Sequence, residues 1–244
     1  MSKFKNKIFL NYLRVRNKLR KRMGKNSILL SSRNILENNF KSSADFSFVQ
    51  VGANDGVSFD FLFDFVSKRK SIGVVLEPIT SYFIELKKNY AFNKNIIPIN
   101  VAIHPTLKEA NIYKINPMFQ NEYPSWVKGI ASLDPNHHKK TNINTEHMIV
   151  EKVKADSLIN VLNNNDLNFN NLDYFQIDTE GFDFEVLKMI DFNIIKPVVL
   201  KFESVNLSNN DKHVAFLLLK RQGYYVFDEG GDSIAVNLNL IKLY

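Results

Sequence analysis

Five apolar runs of strand length recur along this chain, and segments of helical period separate several of them. That alternation restricts the possible folds more than any other feature. The runs are FSFVQV (46–51), SIGVVLEP (71–78), NIIPINVAI (95–103), LDYFQID (172–178) and KPVVLKFE (196–203). Between them lie SFDFLFDFVSKR, ITSYFIELKKNY and FDFEVLKMIDF. In the last of these, Phe184, Val186, Leu187 and Ile190 form one apolar side, and the acids fall early, where the helix dipole favours them. Strands that read as near-continuous apolar runs have both faces covered, as in parallel sheets. The expectation is therefore an α/β fold with a doubly wound, mostly parallel sheet. QGYYVFDEGGDSIAVNLN near the end reads as strand, Gly-Gly turn and strand, closing the sheet with an antiparallel hairpin.

Two stretches break the rhythm. Residues 104–155 are rich in Pro, Asn and His without a sustained period and read as a loop-rich insertion; NNNDLNFNN at 163–171 reads as a polar linker. The organisation expected is an arm over 1–30 and one domain over 31–244. The charge is just as unevenly placed. Residues 1–25 carry ten Lys or Arg and no acid, whereas the rest holds 22 basic and 25 acidic residues, a balance of −3. The body is not a basic nucleic-acid binder, and nucleic acid is disfavoured as a partner. Phe4, Ile8, Tyr12, Val15, Leu19 and Met23 recur in the arm at helical spacing with cations between them. Such a helix suits docking on the body or on a partner, or peripheral contact with an anionic membrane. IFLNYL is too short and too polar for a signal-peptide core or a span. The chain has no Cys, which excludes disulfides, Cys-ligated zinc and a thiol nucleophile. A cytoplasmic location, peripheral to the inner membrane face, is the matching expectation.

The first strand stops in VQVGANDG, whose Gly52 and Gly56 give G-x-x-x-G and not the dinucleotide G-x-G-x-x-G. The central position, where glycine would let a pyrophosphate approach, is Asn54, and no P-loop Lys follows. A cofactor without phosphates suits this turn better, and S-adenosylmethionine is one. Asn54 and Asp55 supply acceptors, and the glycines remove obstructing side chains. A purely structural turn is the competing reading. Glu77 ends the second strand, 21 residues after Gly56, where an acid can accept both ribose hydroxyls, unless it merely caps a helix before Pro78. The next strand ends at Val101–His104, where the adenine edge is expected.

DYFQIDTEGFDFEVLK places Asp178 and Glu180 directly after a strand, at the crevice where open α/β sheets bind ligands. These acids could stabilise a sulfonium, orient a hydroxyl, act as base or help hold a divalent metal. Mg²⁺ is conceivable, but no ligand cluster with diagnostic spacing is present. Glu180 could equally cap the helix through Gly181. Further candidates for a base are Glu203, His137 and His138, with a solvated loop as the plainer reading of the His pair. Trp126 and Tyr123 could stack on a sugar ring or simply anchor their loop.

Taken in order, FVQVGANDG, LEP, FIELKKNY, VAIH, ASL, QIDTEGFDFEVLK and KPVVLKFE resemble the FkbM-family methyltransferases over about residues 46–230. The resemblance implies the class I S-adenosylmethionine-dependent fold and O-methylation of a sugar, glycolipid or related small-molecule acceptor. It implies that Gly52, Asn54, Gly56 and Glu77, with Ala53, Asp55 and Pro78 beside them and Ala102 at the adenine edge, hold the cofactor. Asp178, Glu180 and His137 would stand at the reaction centre. Gln50 departs from the acid many methyltransferases carry there, and Phe182 and Phe184 are larger than the usual residues. A non-catalytic cofactor-binding or scaffold subunit of a glycan-biosynthesis complex is the alternative. A nicotinamide oxidoreductase is disfavoured by the missing fingerprint.

Overall fold

Strand β1 (Asp45–Val51) lies in the interior of a seven-stranded sheet in the computed structural model, which describes residues 2–42, 44–165 and 172–244. Parallel to it run β2 (Lys70–Leu76) and β3 (Ile96–Ile99) on one side, and β8 (Tyr174–Ile177) and β9 (Val199–Glu203) on the other. Then β11 (Asp232–Val236) pairs antiparallel with β9, and β10 (Tyr225–Glu229) pairs antiparallel with β11 at the edge. The doubly wound sheet and its closing hairpin are as expected.

Alternate residues of each strand serve two cores, because successive side chains point to opposite faces. Val49, Val51, Val74, Leu76, Phe175, Ile177, Leu200 and Phe202 face α5 (Leu158–Asn163), α6 (Asp183–Lys188) and α7 (Asn209–Arg221). Phe46, Phe48, Val75, Tyr174 and Val199 face α2 (Ser32–Asn39), α3 (Leu62–Val66) and α4 (Thr80–Asn89). Helix α3 is much shorter than the expected 58–69 segment. Asp60 Oδ1 takes the Leu62 amide, and Asp55 ties down Val57 and Ser58, so the chain turns where a helix would begin.

The third run divides. After β3, the Asn100 side chain donates to the Glu77 and Pro78 carbonyls, and the chain leaves the sheet for β4 (Ala102–Ile103). β4 belongs to a second sheet of order β4-β7-β5-β6, with β5 (Glu109–Ile115), β6 (Ala131–Ser132) and β7 (Met148–Asp156). The loop-rich reading of 104–155 is corrected here. β5 and β7 alternate with period two, but their inner residues are small, such as Ala110, Val153 and Ala155, so the apolar signal is weak. Their outer face carries the exposed Lys152–Glu109 pair at 2.5 Å, and on the inner side the buried Lys114 is paired with Glu151 at 2.5 Å. Most of the 163–171 segment lies outside the described residues.

The arm forms α1 (Ser2–Arg22). It docks through Asn6, with Leu13 buried and Asn17 bonded to Ile28 just beyond the helix, so the six-residue apolar row read from the sequence is not the docked face. Among the described residues no helix is long and apolar enough to cross a membrane.

Candidate active site

Strand order reverses at β1. The chain proceeds to β2 and β3 on one side, and the later β8 and β9 lie on the other, so a crevice opens above the carboxyl ends of β1 and β8. A cavity of about 410 Å³ occupies that place, within the roughly 300–1,000 Å³ of small-molecule sites. The β1 turn, the end of β2, β4, the β8–α6 turn and residues 126–141 of the second sheet's region all contribute walls.

Gly52 has φ +79°, and a Cβ there would stand 1.7 Å from the Asp178 carbonyl oxygen, so the two central strand ends can lie this close only with glycine between them. Gly56, also at φ +79°, presses against Leu86 and Tyr90 of the neighbouring helix. Of the residues expected to hold a cofactor, Gly52, Ala53, Asn54, Glu77, Pro78 and Ala102 line the cavity; Asp55 and Gly56 do not. Asp55 instead accepts from the Val57 and Ser58 amides and the Ser58 hydroxyl, which locks the turn.

Glu77 is 4% exposed, and its two oxygens accept the Asn54 and Ile79 amides, each at 2.8 Å. A carboxylate offers about four lone-pair directions, so capacity for a diol remains. Burial pushes its carboxyl up to about 7, against the two amide bonds that favour the ionised form.

The second motif gathers acids. Asp178, Glu180 and Glu203 each bring an oxygen within 4.8 Å of the others. Burial, then the Asp183, Glu203 and Glu180 carboxylates, hold Asp178 well above the usual carboxylate range. Burial, then Glu180 and Asp183, raise Glu203 to about 8, and burial raises Asp183 to about 7. Asp183 is fully buried and accepts the Thr179 and Gly181 amides, which fixes the loop that carries Asp178 and Glu180. An acidic triad of this kind does not by itself support Mg²⁺.

His137 reaches this cluster from the second sheet's region. It is 2% exposed, its Nε2 lies 3.0 Å from Glu180 Oε2, and its buried Nδ1 has no partner among the described residues. Glu180 also accepts from Asn206 Nδ2, which donates to Glu203 as well, and its carbonyl takes the Ser132 hydroxyl. The three residues expected at the reaction centre, Asp178, Glu180 and His137, thus line one cavity. His138 turns away to Thr145. Trp126 lines the cavity, whereas Tyr123 bonds His147 behind it.

A polar row escaped the sequence reading. Gln50, Gln176 and Lys201 are in register on three adjacent strands, on the face that packs against α3. Both glutamine amides donate to Asp60 Oδ2, so a carboxylate stands beside the position where Gln50 replaces an acid. Gln50, Gln176 and Asp60 line the cavity. The available signal was one polar residue near the end of three otherwise apolar runs.

The Methyltransferase FkbM domain family matches this sequence over residues 50–226. Among solved structures, a Methyltransferase FkbM from Methylobacillus flagellatus KT shares 13% identity over 79% of this chain at a TM-score of 0.48, and the match spans 44% of that protein. A precorrin-6y C5,15-methyltransferase from Geobacter metallireducens GS-15 shares 12% over 80% of this chain and 71% of its own, at 0.39. A SAM dependent methyltransferase from Aquifex aeolicus shares 9% over 85% and 88%, at 0.39. No curated protein matches the sequence. The family match begins at Gln50, in the first strand, and runs through the turn, the acids and the final parallel strand as far as Val226 of the hairpin. The chain belongs to the FkbM family of S-adenosylmethionine-dependent methyltransferases.

Proposed function

We propose that this methyltransferase acts on a hydroxyl oxygen of a sugar-like acceptor. The observation that carries the reading is His137, which lines the same cavity as Glu77 and bonds Glu180 through Nε2, while its buried Nδ1 has no partner among the described residues.

The cavity's residues fit S-adenosylmethionine. Gln50 Oε1 and Thr179 Oγ1, both buried and unpartnered, belong to residues of its wall and await a polar ligand. Glu77 has capacity for the ribose diol, and Pro78, Ala102 and Phe182 supply apolar surface for the adenine. Asp60, steadied by two glutamines, would receive the ammonium of the amino-acid end. The acids around Asp178 suit a cationic sulfur centre. When bound, the cofactor supplies an electrophilic methyl group on that sulfur.

The protein's part is positioning and proton removal. An aliphatic hydroxyl is a weak nucleophile until its proton leaves, and a positioned base contributes roughly 10²–10⁴-fold. With Nε2–H donated to Glu180, His137 Nδ1 carries a lone pair able to take the acceptor's proton. Glu180 fixes that tautomer and stabilises the imidazolium that forms. Trp126 offers a stacking face for a sugar ring.

The test incubates the protein with methyl-labelled cofactor and a cell-envelope glycan extract. An alkali-stable, carbohydrate-bound label is expected, as for a methyl ether. Label released by mild alkali, or found only on protein, would contradict the assignment.

A further inference from the structure

The apolar row on α1 is exposed although the helix is already docked. Phe4, Ile8, Tyr12, Val15, Leu19 and Met23 are 52–71% exposed, with Phe4 the most open and Tyr12 and Leu19 the least. The opposite side holds the body. Asn6, fully buried, donates to the Leu238 and Ile241 carbonyls at 3.0 and 2.6 Å and accepts the Leu243 amide at 3.1 Å. Leu13 is 8% exposed, Asn17 exchanges two hydrogen bonds with Ile28, and the Phe9 and Tyr244 rings lie 5.3 Å apart. At about 100° per residue, the Asn6–Leu13–Asn17 line and the apolar row lie on nearly opposite sides.

We propose that this outward row is a membrane-binding face that takes an anionic lipid surface. The charge pattern selects the occupant. Lys7 and Lys18 flank the row on one side, and Lys5 and Arg16 on the other, all exposed, and residues 1–25 contain no acid. Long cationic stems beside an apolar row let the side chains enter the acyl boundary while the charges meet lipid headgroups. A second copy of the helix would set cations against cations, and a nucleic acid would leave the apolar row unused. The Asn6 clamp ties the lipid-facing helix to the segment after β11, so the whole domain would be held at the membrane. The inference is independent of the acceptor proposed for the cavity.

Vesicle flotation of the full-length protein tests it, with phosphatidylcholine vesicles containing or lacking phosphatidylglycerol. The protein is expected to float with the anionic vesicles, to be released by high salt and to stay behind with phosphatidylcholine alone. The triple variant Ile8→Ser, Val15→Ser, Leu19→Ser removes apolar area that is more than half exposed, on the side away from Asn6. It is expected to float at least about tenfold less, with an unchanged circular dichroism spectrum and melting temperature. Failure to float, or equal flotation of the triple variant, overturns the proposal. So does a dimer in sedimentation that the triple variant dissolves, because a second copy would then cover the row.

Discussion

Asn54, Phe59 and Glu180 line the cavity with left-handed backbones, at φ +51°, +69° and +52°, a conformation costly for a bulky residue such as Phe59. Two of the three are held by hydrogen bonds. The Asn54 amide is bound by Glu77, and the Glu180 carbonyl by Ser132. The acid beside them, Asp178, is crowded by four other carboxylates, so its neutral replacement relieves repulsion instead of breaking a bond. Asp178→Asn should therefore keep the melting temperature, weaken the cationic cofactor and lose about 10²-fold or more in turnover; an unchanged rate would remove Asp178 from the reaction centre. Asp60 makes a sharper case. Asp60→Asn should weaken S-adenosylmethionine about tenfold or more, yet leave 5′-methylthioadenosine, which lacks the amino-acid end, nearly unaffected. Equal losses for both ligands in titration calorimetry would show that Asp60 only supports the fold.

At the scale of elements, the site depends on how closely two strand ends approach. Gly52→Ala would drive a methyl group into the Asp178 carbonyl in a backbone region hostile to L-residues, and should cost about 3 kcal/mol or more, read by denaturant unfolding. Much of this level was legible beforehand. FVQV, GVVL, YFQI and VVLKF announced buried parallel strands, and the acids after two of them announced the crevice. What stayed hidden depended on partners distant in the chain. Nothing near Asp60 says that Gln50 and Gln176 will converge on it, the latter 116 residues away. Nothing near His137 names Glu180. The second sheet was missed because Ala110 and Ala155 pack inward where a larger residue would have revealed the period. The arm's apolar row does not tell which side meets the body, and an asparagine, Asn6, makes the dock.

At the scale of the whole molecule, buried acids link protons to stability and to binding with opposite signs. Glu77 and Asp183 are raised to about 7 and Glu203 to about 8, from ordinary values of 4.5, 3.8 and 4.5. Between those limits the folded chain holds more protons than the unfolded one, so stability should fall as pH rises from about 5 to 8. Asp55 and Glu151 are shifted down and act below this window. Melting of the ligand-free protein should come at a higher temperature at pH 5.5 than at pH 8. Affinity for a cation should move the other way, because deprotonation strengthens the acidic wall. The most direct test of the account is titration calorimetry with S-adenosylmethionine across pH 6 to 8.5, with NADH as the control. Saturable one-site binding that tightens with pH, and no heat from NADH, is the predicted result. Binding of NADH with none of S-adenosylmethionine would contradict it.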